Sequence, residues 1–312
     1  MAKSGTVAFV GRPNAGKSTL MNHLLAEKLA IVSDKPQTTR HRIVGILSGE
    51  QGQMVFYDTP GIHRPLHRLN RQMVRYALDA MNEADVVCLL TDVSEKFGKG
   101  EAYMLDLAGK AEGPRVLALN KIDRVKKPDL LPRIEHYAKT GLFEEIVPLS
   151  AKTGLNCDRL LTVLWKLLPE GEPMFDPELL TIHPERFLVA ERIREKVLGL
   201  TTEELPFTTA VVIERWEEDK EKDLVRLYAT ILVERPGQKK IVVGHQGQMI
   251  KAIGTAARHD LEEFLGRRVY LDLHVRVEPD WRENRAVLQA LDRDVDLDLN
   301  LEPGTEMDTD PE

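Results

Sequence analysis

The sequence lacks any long hydrophobic segment. None of its apolar runs approaches the roughly 20 residues that a membrane-spanning helix requires. The first residues, Met1–Gly5, lead directly into a predicted strand, so we expect no signal peptide before the fold. These features argue against an integral membrane protein and predict a cytoplasmic location.

Cysteine is also scarce. Cys88 and Cys157 are the only two, and they lack the short spacing of paired metal ligands. A chain of 312 residues with two cysteines is not a disulfide scaffold and suits a reducing compartment. Cys88 lies in the apolar run Val86–Leu90, which predicts a buried structural thiol.

Positive charge does not predominate. The chain has 43 lysines and arginines against 50 acidic residues, a net charge of −7. Most of the excess acid lies in residues 292–312, which contain nine carboxylates and one cation, Arg293, so that residues 1–291 carry a net charge of +1. We predict that this acidic tail is flexible, because large apolar side chains are scarce beyond Leu301.

The length and composition of the chain indicate two globular domains. It has 312 residues, of which 42% are hydrophobic and 30% are charged. Through residue 168, apolar strands alternate with helical patterns, which predicts a doubly wound α/β sheet that is mostly parallel. Ligands of such sheets bind at the carboxyl ends of the strands. The predicted strands are Thr6–Val10, Arg42–Leu47, Met54–Tyr57, Asp85–Thr91, Arg115–Asn120 and Glu145–Leu149, and the second and third form a hairpin.

The pattern changes after a segment rich in proline and glycine, residues 169–183, which we interpret as a linker. A helix at Glu185–Leu200 is predicted by the spacing of Phe187, Ala190, Ile193, Val197 and Leu200. Two strands, two helices and a strand follow, and a Gly-x-x-Gly turn at Gly244–Gly247 starts the first helix of the central pair. This order is typical of an α+β KH domain. The remaining predicted elements are strands Thr208–Trp216 and Asp223–Glu234, helices from Gln248 and over Thr255–Leu265, and strand Arg268–Val277.

A phosphate-binding loop follows the first predicted strand. Its glycines permit a tight turn whose amides point at phosphates, Lys17 can reach the β- and γ-phosphates, and the hydroxyl of Ser18 can bind Mg²⁺. The predicted nucleotide-binding residues of the loop are Gly11, Asn14, Ala15, Gly16, Lys17, Ser18 and Thr19.

Asp58-Thr59-Pro60-Gly61 follows at the end of a predicted strand. Asp58 is placed to hold the magnesium shell, and the amide of Gly61 to sense a γ-phosphate. A threonine between the two motifs must close on Mg²⁺ in the triphosphate state. Thr38 and Thr39 both qualify, and we favour Thr39. The predicted magnesium set is thus Ser18, Thr39 and Asp58, and the predicted catalytic set is Lys17, Thr39 and Gly61.

The motif Asn120-Lys121-Ile122-Asp123 predicts that the bound nucleotide has a guanine base. The carboxylate of Asp123 can accept hydrogen bonds from N1–H and the exocyclic amine of guanine, whereas adenine lacks that pair of donors. Lys121 would pack its stem over the base, and Ser150-Ala151-Lys152 would bring a backbone amide to the guanine oxygen. The three ordered motifs predict a GTPase that binds GTP and GDP and rejects ATP.

Ile62 follows Gly61, where Ras-like GTPases carry a glutamine that orients water. An aliphatic side chain cannot do this. Another group, a partner, or slow intrinsic hydrolysis must account for the difference.

The GTPase motifs, the linker and the KH-like region together resemble the Era family of bacterial ribosome-assembly GTPases, over about residues 5 to 290. The segments that carry the resemblance are Gly11–Thr19, Gln37–Arg42, Asp58–Gly61, Pro184–Phe187 and Asp280–Arg282.

This resemblance implies a P-loop GTPase domain with a doubly wound mixed sheet (residues 1–168), the linker 169–183, a smaller type II KH domain (184–291) and the tail 292–312. It implies slow GTP hydrolysis, binding of the 3′ end of 16S rRNA and a role in assembly of the small ribosomal subunit. It further implies K⁺ near Asn14 and peripheral membrane association in some members. We expect a monomer.

The residues around the Gly-x-x-Gly turn support RNA binding by themselves. Residues 235–259 contain five cations and no carboxylate, so they can neutralise phosphates while the glycines let the RNA backbone approach. His245 and Gln246 replace the more usual cation inside the turn. The predicted RNA-binding residues are Lys239, Lys240, Gly244, His245, Gln246, Gly247 and Lys251.

Three alternatives remain open. A Der-type translation GTPase would carry two GTPase units, and this chain has one. A passive RNA-binding module with a vestigial nucleotide domain is opposed by the intact Lys17, Ser18, Asp58 and Asp123. A signalling GTPase with a protein-binding appendage is distinguished by whether RNA co-purifies.

Overall fold

The protein is described by a computed structural model that covers residues 2–35, 37–201, 205–293 and 295. Its first half is an α/β domain with one sheet in the order β2-β3-β1-β4-β5-β6, parallel except for the antiparallel β2–β3 pair. The predicted hairpin is confirmed, with Gly49 opposite Gly52. The elements are β1 (Lys3–Gly11), α1 (Lys17–Leu25), β2 (Ile43–Gly49), β3 (Gly52–Asp58), α2 (Arg68–Glu83), β4 (Val86–Asp92), α3 (Lys99–Lys110), β5 (Arg115–Asn120), α4 (Lys127–Ala138), β6 (Glu145–Pro148) and α5 (Cys157–Leu167).

Both faces of this sheet are covered. One core contains side chains of α1 and α5, and the other contains side chains of α2, α3 and α4. Strands buried on two faces have continuous apolar sequences, and Val7–Val10 of β1 are fully buried. Cys88 is also fully buried, as predicted. The helices leave the carboxyl ends of β1, β4 and β5 open at one edge.

The second half has its own sheet, in which β8 is antiparallel to β7 and parallel to β9. A separate apolar core lies between this sheet and its helices. The elements are α6 (Glu185–Leu200), α7 (Leu205–Thr208), β7 (Ala210–Asp219), β8 (Leu224–Val233), α8 (Pro236–Val243), α9 (Gln248–Leu265), β9 (Arg268–Val277) and α10 (Arg285–Arg293).

The prediction of the two central helices was wrong in detail. The Gly-x-x-Gly turn joins α8 to α9 instead of preceding both helices, and α9 is one continuous helix through Gly254. Pro236 starts α8 because proline is tolerated in the first helical turn, and the side chain of Gln238 accepts hydrogen bonds from the amides of Glu234 and Arg235. A single internal glycine costs a helix only about 1 kcal/mol, which packing of α9 offsets.

The linker, residues 169–183, is attached to the first domain. The amide of Ser4 donates to the carbonyl of Pro169 (3.1 Å), and the amide of Ile46 donates to that of Leu180 (2.8 Å). The side chain of Gln53 forms three hydrogen bonds with the linker backbone around Phe175. The segment therefore runs along the sheet of the first domain and is bound to it.

Helix α6 packs against both domains. Phe187, Ala190, Ile193 and Val197 are buried as predicted, whereas Leu200 is 41% exposed. Arg192 and Arg194 are also buried, and both donate to carbonyl groups of the first domain. A further apolar cluster joins α2 to the second domain through Leu69, Met73, Ala210, Leu232, Trp281 and Leu288.

The prediction that the tail begins at Asp292 was wrong for its first two residues, which belong to helix α10. Helix α10 continues to Arg293, and Asp292 accepts a hydrogen bond from Gln72 Nε2 of α2 (2.6 Å) and one from the hydroxyl of Tyr76 (3.2 Å). Partners on α2 thus order a carboxylate that sequence composition assigned to the tail. The prediction for residues 296–312 lies outside the described residues.

Candidate functional site

A cleft of about 690 Å³ lies at the carboxyl edge of the first sheet. That volume is in the range of small-ligand sites, and the three predicted motifs meet there although up to a hundred residues separate them. Four predicted residues do not line the cleft and lie behind its wall: Gly11, Ala15, Asp58 and Ser150. Of the predicted residues, Asn14, Gly16, Lys17, Ser18, Thr19, Thr39, Gly61, Asn120, Lys121, Asp123, Ala151 and Lys152 line the cleft.

The phosphate loop occupies one end of the cleft. Gly16 has φ 97°, and a Cβ atom there would lie 2.2 Å from Nδ2 of Asn120, so only glycine fits. Lys17 begins α1, whose free N-terminal amides favour an anion. Its ammonium donates to the carbonyl of Arg12 at 3.2 Å, and the residue as a whole is only 6% exposed. Desolvation lowers the pKa of Lys17 to about 8, although Asp58 opposes the shift, so a bound polyphosphate would stabilise the charged form.

Replacement Lys17→Ala is expected to weaken both GTP and GDP binding by about 10- to 100-fold, the effect of losing a charge-assisted contact. The nucleotide-free protein should keep its melting temperature within a few degrees. Fluorescent-nucleotide titration and thermal unfolding measure the two effects. Lys110→Ala, on the exposed face of α3, is the control and should change neither. A large loss of melting temperature with unchanged affinity would make Lys17 structural instead.

Three oxygen-bearing side chains meet beside Lys17. The hydroxyl of Ser18 donates to Oδ2 of Asp58 at 2.6 Å and lies 2.9 Å from the hydroxyl of Thr39. Oδ1 of Asp58 is buried and has no hydrogen-bond partner among the described residues. Burial raises the pKa of Asp58 to about 6, against the opposing effects of Lys17 and the two hydroxyls. A hard cation with oxygen ligands such as Mg²⁺ fits this set, because it would satisfy the orphaned carboxylate oxygen.

Thr39 and Thr38 differ in orientation. The hydroxyl of Thr38 donates to the carbonyl of Lys35 at 2.7 Å, whereas that of Thr39 faces Ser18 and Asp58. The geometry supports our preference for Thr39 in the magnesium set.

The other end of the cleft is organised by Asn120. This side chain is 2% exposed; it donates to the carbonyl of Ala15 at 2.8 Å and accepts hydrogen bonds from the amides of Lys121 (2.7 Å) and Ala151 (2.9 Å). It therefore holds three loops together, and we interpret it as a positioning residue. Asp123 lies on a short 3-10 helix, Ile122–Arg124, and is exposed toward the cleft.

Asp92 is among the cleft residues that the sequence did not predict. Asp92, the last residue of β4, forms an ion pair with Lys121 at 2.7 Å, and hydrogen bonds from Lys121 and Ser94 outweigh burial and lower its pKa. This pair fixes the lysine stem that would lie over a base. Its position at a strand end beside the predicted site was the available sequence clue.

Ile62 lies in the core and is 3% exposed. It packs with Ala8, Val10 and other residues beneath the sheet, while its amide donates to the carbonyl of Gly11 at 3.0 Å. A buried aliphatic side chain cannot orient water in the cleft, which agrees with the prediction made for Ile62 from the sequence.

The second candidate site is the turn between α8 and α9. Gly244 has φ 72°, and a Cβ atom on it would lie 2.6 Å from Cβ of Met249. Gln246 adopts the left-handed conformation (φ 49°), so that His245 and Gln246 both project into solvent. Lys239, Lys240 and Lys251 are exposed on the adjoining turns of the two helices. Small glycines, free amides at the start of α9 and three nearby cations suit a phosphate backbone.

The two halves of the chain match two different family models. Residues 6–121 match a family model described as "50S ribosome-binding GTPase", and residues 204–282 match one described as "KH domain". The chain is 46% identical to GTPase Era of Staphylococcus haemolyticus, over 90% of this chain and 93% of the relative. It is 48% identical to GTPase Era of Trichlorobacter lovleyi, over 93% of this chain and 97% of that protein.

Two solved structures resemble the whole chain. One is an Era protein in complex with MgGDPNP and nucleotides 1506–1542 of 16S ribosomal RNA, with TM-score 0.90 and 38% identity over 93% of this chain and 99% of the other. The second is a substituted Era of Aquifex aeolicus bound to GDP·AlF4⁻, with TM-score 0.89 and 39% identity over 93% and 98% of the two chains. Among the described residues, no helix combines the length and apolarity needed to cross a membrane.

Proposed function

The chain belongs to the Era family of GTPases, and on that premise we propose that its KH domain binds the 3′ end of 16S rRNA during assembly of the small ribosomal subunit. It hydrolyses GTP to GDP and phosphate, with Mg²⁺ as cofactor. The observation that carries the proposal is the exposed, cation-flanked Gly-x-x-Gly turn in a chain whose other domain has a cleft lined by the predicted GTPase motifs.

Two descriptions of ribosomal partners disagree. The family model that names the 50S subunit matches only residues 6–121, within the GTPase domain. The Era structure with a 16S fragment resembles this chain over 93% of its length, including the KH domain. We give more weight to the second, because the proposed RNA contacts lie in the KH domain.

The roles of the cleft residues follow from their positions. Lys17 and the amides at the start of α1 would bind the β- and γ-phosphates, and Gly61 would contact the γ-phosphate. Ser18, Thr39 and Asp58 would hold Mg²⁺, which would neutralise phosphate charge as the terminal phosphoryl group leaves. Asp123 would select guanine, with Lys121 against the base and the amide of Ala151 or Lys152 at its oxygen.

Potassium is a further proposed cofactor. The amide nitrogen of Asn14 donates to the carbonyl of Asp34 at 3.0 Å, which holds this side chain at the cleft beside the phosphate loop. Its amide oxygen is a suitable ligand for a monovalent cation, whose charge could substitute for the missing catalytic side chain. Peripheral membrane association and a monomeric state remain predictions.

GTP turnover is the experiment that tests the proposal. We expect slow hydrolysis by the protein alone, because Ile62 is buried, and faster hydrolysis with RNA that carries the 3′ end of 16S rRNA. RNA of the same composition in scrambled order is the control. Turnover should also be faster in potassium than in sodium.

The outcomes separate the parts of the proposal. Equal rates in the two salts would remove the role of potassium alone. Equal binding and equal stimulation by both RNAs would contradict recognition of the 16S sequence. Absence of hydrolysis under all conditions, with RNA binding intact, would favour a passive RNA-binding module.

A further inference from the structure

Segment 38–42 of the GTPase domain contains Thr39 and forms hydrogen bonds with the second domain. Arg194 of α6 donates from Nη2 to the carbonyl of Thr38, the residue directly before Thr39. The guanidinium is oriented by Glu191, one helical turn earlier, which accepts from Nε at 2.7 Å. In the opposite direction, Arg40 donates to the carbonyl of Thr209 at 2.7 Å and lies 5.5 Å from the centre of the Trp281 ring. We call Arg40, Glu191 and Arg194 the interdomain clasp.

The clasp is buried although it is built from charged groups. The side chain of Arg194 is 2% exposed and Arg40 is 5% exposed. Nη1 of Arg194 is buried without a hydrogen-bond partner among the described residues. Desolvation of charges consumes most of the attraction between them, so buried ionic groups contribute little net stability compared with apolar packing. A purely structural interface would gain more from aliphatic residues here, which suggests that the clasp serves specificity of position.

The position that the clasp determines is that of Thr39. The carbonyl of Thr38 accepts from α6, while Thr39 lines the cleft with its hydroxyl 2.9 Å from that of Ser18. A threonine in this segment closes on the cation and γ-phosphate only in the triphosphate state. Moving the main chain by an ångström would remove the hydroxyl from the set that it forms with Ser18 and Asp58.

We propose that Arg194 is a positioning residue for GTP: from the KH domain it holds Thr39 in the closed arrangement, so that its hydrogen bond to the Thr38 carbonyl strengthens binding of GTP and not of GDP. This inference rests on the proposed nucleotide site. Because linkage is reciprocal, GTP in turn strengthens the hydrogen bond between Arg194 and the Thr38 carbonyl. The nucleotide state is thus transmitted to the KH domain through one main-chain carbonyl.

Arg192 provides a matched control two residues away. It is also a buried arginine of α6, and it also donates to a carbonyl of the GTPase domain, that of Lys28, at 2.6 Å. It additionally pairs with Asp260 at 3.1 Å and lies 4.1 Å from the Phe264 ring centre. Its removal weakens the same interface without touching segment 38–42.

The experiment measures affinity of the full chain for fluorescent GDPNP and GDP in the presence of Mg²⁺. Arg194→Ala should weaken GDPNP binding on the order of tenfold, the scale of one lost charge-assisted hydrogen bond, and leave GDP binding unchanged. Arg192→Ala should affect both nucleotides equally or not at all. Arg194→Lys should recover part of the loss, because an ammonium can still donate to the Thr38 carbonyl. Limited proteolysis within residues 33–40 under saturating GDPNP should increase for Arg194→Ala only.

An unchanged ratio of GDPNP to GDP affinity in Arg194→Ala, or the same selective loss in Arg192→Ala, would overturn the proposal. If Arg194→Ala does not fold, Arg194→Lys and Glu191→Gln replace it. Both should show a smaller selective loss of GDPNP, and equal losses for both nucleotides would be contrary to the proposal. Failure of the unsubstituted protein to bind either nucleotide would refute the nucleotide site itself, which is a separate result.

Discussion

Asp123→Asn is expected to convert the protein from a guanine to a xanthine specificity. The carboxylate of Asp123 is exposed toward the cleft, where it would accept two hydrogen bonds from guanine. An amide presents a donor to the exocyclic amine of guanine, and it suits the 2-oxo group of xanthine instead. Two charge-assisted hydrogen bonds lost together correspond to a fall in GTP affinity of at least about 100-fold, and XTP should become the preferred nucleotide.

Competition titrations with GTP, XTP and ATP measure this change. Asp129→Asn, an exposed carboxylate in the first turn of α4, is the matched control and should keep the preference for GTP. If Asp123→Asn still prefers GTP over XTP, another residue selects the base.

The double replacement His245→Asp and Gln246→Asp is expected to abolish RNA binding while nucleotide binding persists. Both side chains project into solvent from the turn between α8 and α9. Two carboxylates there would repel phosphates that must pass close to the glycines, and affinity should fall by about 100-fold or more at low salt. The GTP cleft lies in the other domain, so GTP affinity should stay within about twofold.

A matched control replaces the same residue types elsewhere in the domain. His274 on β9 and Gln289 on α10 are exposed, and changing both to aspartate adds the same charge away from the turn. This control should retain most of the RNA affinity when RNA binding is measured by fluorescence anisotropy at several salt concentrations. Similar losses in both variants would indicate a general charge effect instead of a site at the turn.

The sequence predicted which residues lie together at the cleft of the first domain. Its groups lie at the ends of buried strands, and the order of strands in a parallel α/β sheet brings those ends together whatever the surrounding detail. The sequence favoured Thr39 as the magnesium ligand but could not exclude Thr38. The direction of each hydroxyl depends on the tertiary contacts of segment 38–42. The role of Asn120 was hidden for a similar reason, since its partners belong to three separate loops.

The KH half was predicted less well. Pro236 and Gly254 appear in the sequence as breaks, and the structure has a helix start at the first and a helix interior at the second. Local propensities of this size, about 1 kcal/mol for an internal glycine, are smaller than the packing energy of an 18-residue helix on a sheet. Leu200 was predicted as buried from its helical spacing alone, and it is exposed because α6 ends there.

The sequence alone determined the two folds, the GTPase motifs and the position of the Gly-x-x-Gly turn, because these depend on short motifs and on the periodicity of neighbouring residues. Tertiary structure alone decided how the two domains meet. Arg192 and Arg194 look like solvated charges on a helix, and their burial follows from carbonyl groups of Lys28 and Thr38, more than 150 residues earlier in the chain. A charged side chain is buried only where a distant partner compensates its desolvation, and no local pattern of residues encodes that partner.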